Sequence, residues 1–229
     1  MLKIRCSALG KIMTNSRSKS ETLSKTCKSY LQELAIEEVY GIKKEFSSRY
    51  TDKGNEVESD AIDLAAEVLD LGFLDKNDNN LNNDYITGTP DVNTNDILLD
   101  IKSSYDGTTF PWFDEEIPNK SYYYQLMGYM ELTSKPQSYL VYCLMNTPFQ
   151  IVEDEIRRAH WQHHLIEEND ELRAEVEAKH NFDHIPKKLR IKSFTVKYDK
   201  AVIESIYERI AECRIYYKEL INKLTNEEQ

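Results

Sequence analysis

Two short runs hold the residues best suited to chemistry: Thr89-Pro90-Asp91 and, nine residues after that aspartate, Asp100-Ile101-Lys102. Leu98, Leu99 and Ile101 surround the second aspartate with apolar side chains, as in a buried strand. Strand side chains alternate between faces, so Asp100 and Lys102 point the same way. Charge in such a place is costly unless it is paired or holds a metal. Carboxylate oxygens suit a hard cation such as Mg2+ or Mn2+. On a β-hairpin, Asp91 and Asp100 flank the turn and converge across the strands. Glu58 lies at the margin of a helical apolar stripe made by Val57, Ala61, Leu64, Ala65, Val68 and Leu69. Three carboxylates and the Ile101 carbonyl make an oxygen cage for one or two divalent ions, which would polarise a phosphoryl oxygen and lower the pKa of bound water. Lys102 would position or help deprotonate that water and offset charge in the transition state. The chemistry indicated is metal-assisted cleavage of a phosphodiester. Asp-x-Lys alone would favour a surface hairpin with solvated charges; the whole set at this spacing favours a site.

The elements that must position these residues follow from periodicity. Leu31, Leu34, Ala35 and Val39 mark a first helix that stops near Gly41, after a Ser-, Thr- and Lys-rich loop over residues 14–26. A second helix follows Gly54 and carries Glu58. Strands are expected at residues 85–87 and 97–103, joined as a hairpin through Asn93-Thr94-Asn95-Asp96. Next come a helix at 121–132, an internal strand at 138–144 and a charged helical stretch over 153–179. An edge strand at 190–198 and a long amphipathic helix at 201–224 close the chain. With no internal repeat and no evident linker, residues 1–229 read as one domain: a catalytic core in 1–150 and a mostly helical extension in 151–229.

The chain has 229 residues, 40% hydrophobic and 30% charged, which is ordinary for a globular protein. No apolar run approaches the roughly 20 residues of a membrane span, and the first residues lack a signal-peptide core. Four cysteines without a CxxC pair argue against structural zinc, an iron–sulfur cluster or a disulfide framework, and for a reducing cytoplasm. The net charge of −11 argues against a non-specific nucleic-acid coat. Its distribution is uneven. Residues 1–30 hold seven basic residues against the single acid Glu21, an excess of +6 that leaves −17 on the rest. One edge is thus suited to a polyanion.

At this point the residues resemble a family. Pro90-Asp91 with Asp100-Ile101-Lys102 resembles the PD-(D/E)XK nuclease signature. The run Gly54-Asn-Glu-Val-Glu58-Ser-Asp-Ala61 is similar to the GxxxExxA helix pattern of phage lambda-type exonucleases. Ser7-Ala8-Leu9-Gly10-Lys11-Ile12 resembles their serine-bearing motif at a helix start, and Gln125-Leu-Met-Gly-Tyr129 the QxxxY motif shared with RecB-type nucleases. The resemblance implies an α/β fold with a restriction-endonuclease-like core, a mixed β-sheet flanked by helices, and a helical C-terminal extension. It implies that Glu58, Asp91 and Asp100 bind Mg2+, with Mn2+ able to substitute, that Lys102 is catalytic and that Gln125 supports the cluster. It further implies that Ser7 touches a terminal 5′-phosphate. The family carries an arginine several residues before that serine; Arg5, Arg17 and Lys11 are the candidates for its place. The implied activity is digestion of one strand of linear double-stranded DNA, 5′ to 3′, in the cytoplasm of a phage host. A single-strand annealing protein as partner and a ring-shaped homo-trimer are implied with it, and no membrane association.

Competing readings are a DNA endonuclease or RecB-like processing nuclease with the same core, and a catalytically silent DNA-binding module. Presence of all three carboxylates and the lysine favours the enzyme, and the unclustered cysteines count against the iron–sulfur branch. Among other residues, His160, His163 and His164 read as an exposed polar helix face. Tyr122, Tyr123 and Tyr124 could stack on bases or pack inward. Phe110-Pro111-Trp112-Phe113 reads as a loop that anchors itself by burial, or a wedge for a duplex end. Lys187, Lys188, Arg190 and Lys192 form a second basic cluster suited to a backbone contact.

Overall fold

Alternation along two central strands decides which way the side chains of the site face. The computed structural model describes residues 1–44 and 48–225, so the last four residues of the expected extension lie outside it. In chain order the strands are β1 (Ile4–Arg5), β2 (Leu81–Asn82), β3 (Ile86–Gly88), β4 (Val92–Asn93), β5 (Leu98–Ser103), β6 (Gln137–Cys143) and β7 (Ile191–Lys197). The α-helices are α1 (Leu9–Ile12), α2 (Lys25–Tyr40), α3 (Arg49–Glu56), α4 (Glu58–Leu69), α5 (Lys120–Thr133), α6 (Phe149–Gln162), α7 (Asp170–His180) and α8 (Lys200–Thr225).

The expected mixed sheet is present as two. One has the order β1-β3-β2, with β1 parallel and β2 antiparallel to β3; the other runs β4-β5-β6-β7, with only β5 and β6 parallel. A parallel pair needs a crossover, and residues 104–136 with α5 supply it. In the larger sheet Leu99, Ile101, Val141 and Cys143 pack with Ala61, Ile62 and Ala65 of α4. Their neighbours Leu98, Leu140, Tyr142, Phe194 and Val196 join the core built from α2, α5 and α8. Asp100 and Lys102 therefore share a face with Leu98 and look towards α5. In register, Asp100 lies opposite Leu140 and Lys102 opposite Tyr142.

Three expectations are corrected. The helix expected after Gly54 starts only at Glu58, behind a separate helix α3 that takes in Gly54 and ends at Glu56, with Val57 between the two. Gly54 and Asn55 are poor helix formers, which accounts for the break that an unbroken apolar stripe concealed. The hairpin arm opposite β5 is the two-residue β4, whereas β3 belongs to the other sheet. The charged stretch over 153–179 is likewise divided: His164 has a left-handed backbone (φ +55°), and Asn169 caps α7 by accepting from Leu172 N at 2.8 Å. Among the described residues no helix is long and apolar enough to cross a membrane.

Close approach to α5 fixes the turn that carries Ser7. A Cβ on Gly128 would lie 2.7 Å from Cys6 Sγ and 2.8 Å from Leu9 Cδ1, and one on Gly10 would lie 2.6 Å from Ser121 Cα. Cys6 and Leu9 are fully buried and have nowhere to move. Gly128→Ala is expected to cost about 1–3 kcal/mol by overpacking, read as a lower urea midpoint at unchanged m. Gly54→Ala is the control, since its Cβ would meet nothing within 4 Å. A parent-like midpoint for Gly128→Ala would mean that the Cys6–Leu9 turn does not lie on α5.

Candidate active site

The Pro-Asp pair does its work through strand register. Val92 pairs with Leu99 and Asn93 with Leu98, so continuing the ladder puts Asp91 opposite Asp100 and Pro90 opposite Ile101. Proline has no N–H and cannot donate to the Ile101 carbonyl. The Pro90 carbonyl is taken instead by Asn77 Nδ2 at 2.8 Å. Asp91 turns its side chain into the position the strand has vacated, where Oδ2 accepts the Ile101 N–H at 2.6 Å. In an extended strand a residue's N–H and C=O face the same edge, so the Ile101 carbonyl looks out beside Asp91.

Asp100 is 1% exposed and faces α5. Its Oδ1 accepts from Gln125 Nε2 at 2.9 Å. Its Oδ2 lies 2.5 Å from Lys102 Nζ, an ion pair whose direction does not make a well-formed hydrogen bond. Gln125 Nε2 also reaches the Tyr129 hydroxyl at 3.0 Å, and that hydroxyl donates to the Thr89 carbonyl at 3.1 Å. Residues one helical turn apart lie on one face. The Gln-x-x-x-Tyr spacing thus lets one helix hold Asp100 with its first residue and the Pro-Asp run with its second. Tyr122, a turn earlier, places its ring 4.9 Å from Lys102 Nζ, a cation–π contact.

These groups border a cavity of about 550 Å³ whose lining includes Ser7, Glu58, Asp91, Ile101, Lys102 and Gln125. Burial and the neighbouring Asp100 charge push Asp91 up to about 7. Asp100 is also raised, by burial first, with Lys102 opposing and Glu58 adding to the rise. Burial by itself would lower Lys102, but Asp100 and Asp91 outweigh it and hold the ammonium above its ordinary value. Two carboxylates that repel each other in a dry place, one with an oxygen lacking a directed hydrogen bond, fit a divalent cation. The residues that would hold it are Asp91, Asp100 and the Ile101 carbonyl. Glu58 lines the same cavity, but its Oε2 is ion-paired with Lys76. Among the described residues no three His, Cys, Asp or Glu side chains converge as a metal-binding group.

The residues expected at a 5′-phosphate are divided. Ser7 is exposed in a short 3-10 turn and lines the cavity. Arg5 instead borders a larger cavity of about 920 Å³ with Tyr30, Arg214 and Tyr217. Lys11 Nζ lies 5.1 Å from the Tyr30 ring centre, and Arg17 is exposed in the 14–24 loop. His160 bonds the Ile156 carbonyl and the Asn169 N–H at the corner between α6 and α7, a structural role. Phe110 is buried and Trp112 Nε1 donates to the Gly107 carbonyl at 2.6 Å, which anchors that loop, while Phe113 stays 94% exposed. Lys187 pairs with Glu67, and Arg190 with Asp183. Lys76 left no signal in the sequence, since it follows α4 in an irregular segment and meets Glu58 only in the fold.

A raised Asp91 has a definite sign. The folded, metal-free chain keeps a proton that the unfolded chain releases, so this group lowers stability progressively as pH rises from about 4 to about 7. Asp91→Asn keeps an acceptor for the Ile101 N–H and removes the repulsion. In chelator its unfolding temperature is expected to exceed the parent's at pH 8 and to match it near pH 4, while Mn2+ affinity by calorimetry falls. A difference that stays constant between those two pH values would mean that neither burial nor the Asp100 charge raises Asp91.

Neither a protein-family model nor a curated protein sequence matches the chain. Solved structures do. A phage-related exonuclease from Haemophilus somnus 129PT is 29% identical with a TM-score of 0.80, over 97% of this chain and 96% of that one. The alkaline exonuclease LHK-Exo from Laribacter hongkongensis is 15% identical with a TM-score of 0.66, over 98% of this chain and 92% of that one. LHK-Exo in complex with dAMP gives 16% and 0.67 over the same shares. At 29% identity over nearly the whole of both chains, the chain shares the fold of a phage-related exonuclease, consistent with the PD-(D/E)XK phage exonuclease motifs that its sequence resembles.

Proposed function

We propose that the chain is a divalent-metal-dependent exonuclease that degrades one strand of linear double-stranded DNA, 5′ to 3′. The observation that carries this reading is the Asp91–Asp100–Lys102 cluster, braced by Gln125, in a cavity shared with Ser7. A TM-score of 0.80 against an exonuclease supports the activity class, and the dAMP complex of LHK-Exo supports DNA as substrate. Bound Mg2+ or Mn2+ would supply Lewis acidity at a phosphoryl oxygen and a lowered pKa for water. Asp91, Asp100 and the Ile101 carbonyl would orient that cation, with Glu58 joining from α4. Gln125 keeps Asp100 in one rotamer. Lys102, held protonated by Asp100 and Asp91 and faced by Tyr122, places a positive charge beside the scissile phosphate and donates to the attacking water or the phosphoryl oxygen. Its charge suits it to donating rather than to acting as base.

Ser7, which lines the cavity, would meet a terminal phosphate, with Arg5, Lys11 or Arg17 engaging only if their segments shift towards the cavity. We extend the reading to one nuclease unit over residues 1–229, a phage host cytoplasm, three copies in a closed ring, and an annealing protein that takes up the single-stranded product for recombination. Lys102→Ala is expected to lower cleavage of linear duplex in Mg2+ by at least a hundredfold and leave DNA binding within about twofold, because the lysine serves the transition state. Closed circles should survive, and 5′-hydroxyl ends should start more slowly than 5′-phosphorylated ends, a preference that Ser7→Ala reduces. A parent-like rate for Lys102→Ala would refute the site. Efficient cutting of closed circles would instead make the protein an endonuclease.

A further inference from the structure

Five residues before Glu58, Lys53 is fully buried, and the reading above gives it no task. Its Nζ donates to the Tyr105 carbonyl at 2.7 Å. The Phe182 ring centre lies 5.4 Å from the ammonium and the Tyr105 ring centre 5.9 Å. An ammonium has three protons to give, and burial pushes this one down to about 8 against the pull of Asp106. One neutral acceptor does not recover the cost of taking a charge out of water. Replacing a buried charge by apolar side chains of similar volume is commonly neutral or stabilising when its charged partner goes with it, and here the partner left behind would be a single carbonyl. Stability therefore does not explain the lysine.

Its connections point elsewhere. Tyr105 comes three residues after Lys102, just past the end of β5. Its hydroxyl donates to Glu155 Oε1 at 2.8 Å, and the same oxygen takes Arg49 at 2.5 Å. Arg49 and Lys53 are one turn apart on α3. The helix thus grips Tyr105 at two points: at the carbonyl directly through Lys53, and at the hydroxyl through Glu155. The Lys53 carbonyl also accepts the Val57 N–H at 3.0 Å, closing α3 at the residue just before α4. Glu58 follows at once. Lys53 thus ties the chain just before Glu58 to the chain just after the strand that carries Asp100 and Lys102.

We infer that Lys53 is a positioning residue, whose hydrogen bond to Tyr105 fixes the α3–α4 corner bearing Glu58 against the strand end bearing Asp100 and Lys102. The inference deepens the nuclease reading and rests on it. Lys53→Met keeps the length of the stem and removes the donor. In chelator its unfolding temperature should equal or exceed the parent's. Mn2+ affinity by calorimetry and kcat on linear duplex should each fall about tenfold or more, the usual effect of losing a group that orients metal ligands, with KM for DNA within about twofold of the parent. Lys53→Gln, which restores an N–H donor, should recover part of both. A Lys53→Met variant with parent-like Mn2+ affinity overturns the proposal. So does one that loses unfolding temperature and metal binding together without recovery in Lys53→Gln, since that marks a core support only. A parent that cuts no DNA yet shows the Lys53-dependent change in Mn2+ affinity sinks the nuclease reading and leaves the placement of Lys53 intact.

Discussion

The site depends on one electrostatic constraint: the register of β4 against β5 sets two carboxylates opposite each other where water cannot screen them. The groups around them answer that repulsion. The Ile101 N–H takes an oxygen of Asp91, Gln125 takes an oxygen of Asp100, and Lys102 stands against the other. The arrangement cannot be changed piecemeal. A one-residue slip of β5 would send Asp100 and Lys102 to the opposite face, among Ala61, Ala65 and Val141, with no partner for either charge. Pro90 and Tyr129 guard against such a slip. One ends the ladder on the far side of the pair, and the other ties Thr89 to the helix that holds Asp100.

Legibility in the sequence followed the length of the periodic signal. The alternation Leu99-Asp100-Ile101-Lys102 placed both charged residues on one face of β5, and the spacing of Gln125 and Tyr129 placed both on one face of α5. Short elements were less readable. Two-residue β4 has no period to detect, so the hairpin arm was assigned to the stronger run that became β3. The apolar stripe of α4 continues back through Val57 and hid the break that puts Glu58 in a first helical turn. Lys76 and Lys53 lay beyond reach for another reason: each gains its meaning from a partner distant in the chain, Glu58 for one and Tyr105 for the other.

Charge completes the physical picture. Some amino-terminal basic side chains have partners within the fold: Lys3 bonds Asn82, Lys28 pairs with Glu21, and Lys11 lies over Tyr30. The charged side chains lining the catalytic cavity are Glu58, Asp91 and Lys102, with Asp100 buried behind them. That wall is negative on balance once the carboxylates ionise, and a phosphodiester approaching it meets like charge. Affinity for DNA normally comes from neutralising its phosphates, and this cavity cannot do so with its own side chains. A divalent cation held by Asp91 and Asp100 would therefore act twice: it would permit both carboxylates to ionise, and it would turn the wall attractive to phosphate. On the proposed function, metal uptake and substrate entry would be coupled through one pair of side chains, and an acidic protein of this kind would gain access to DNA at this cavity rather than over its surface.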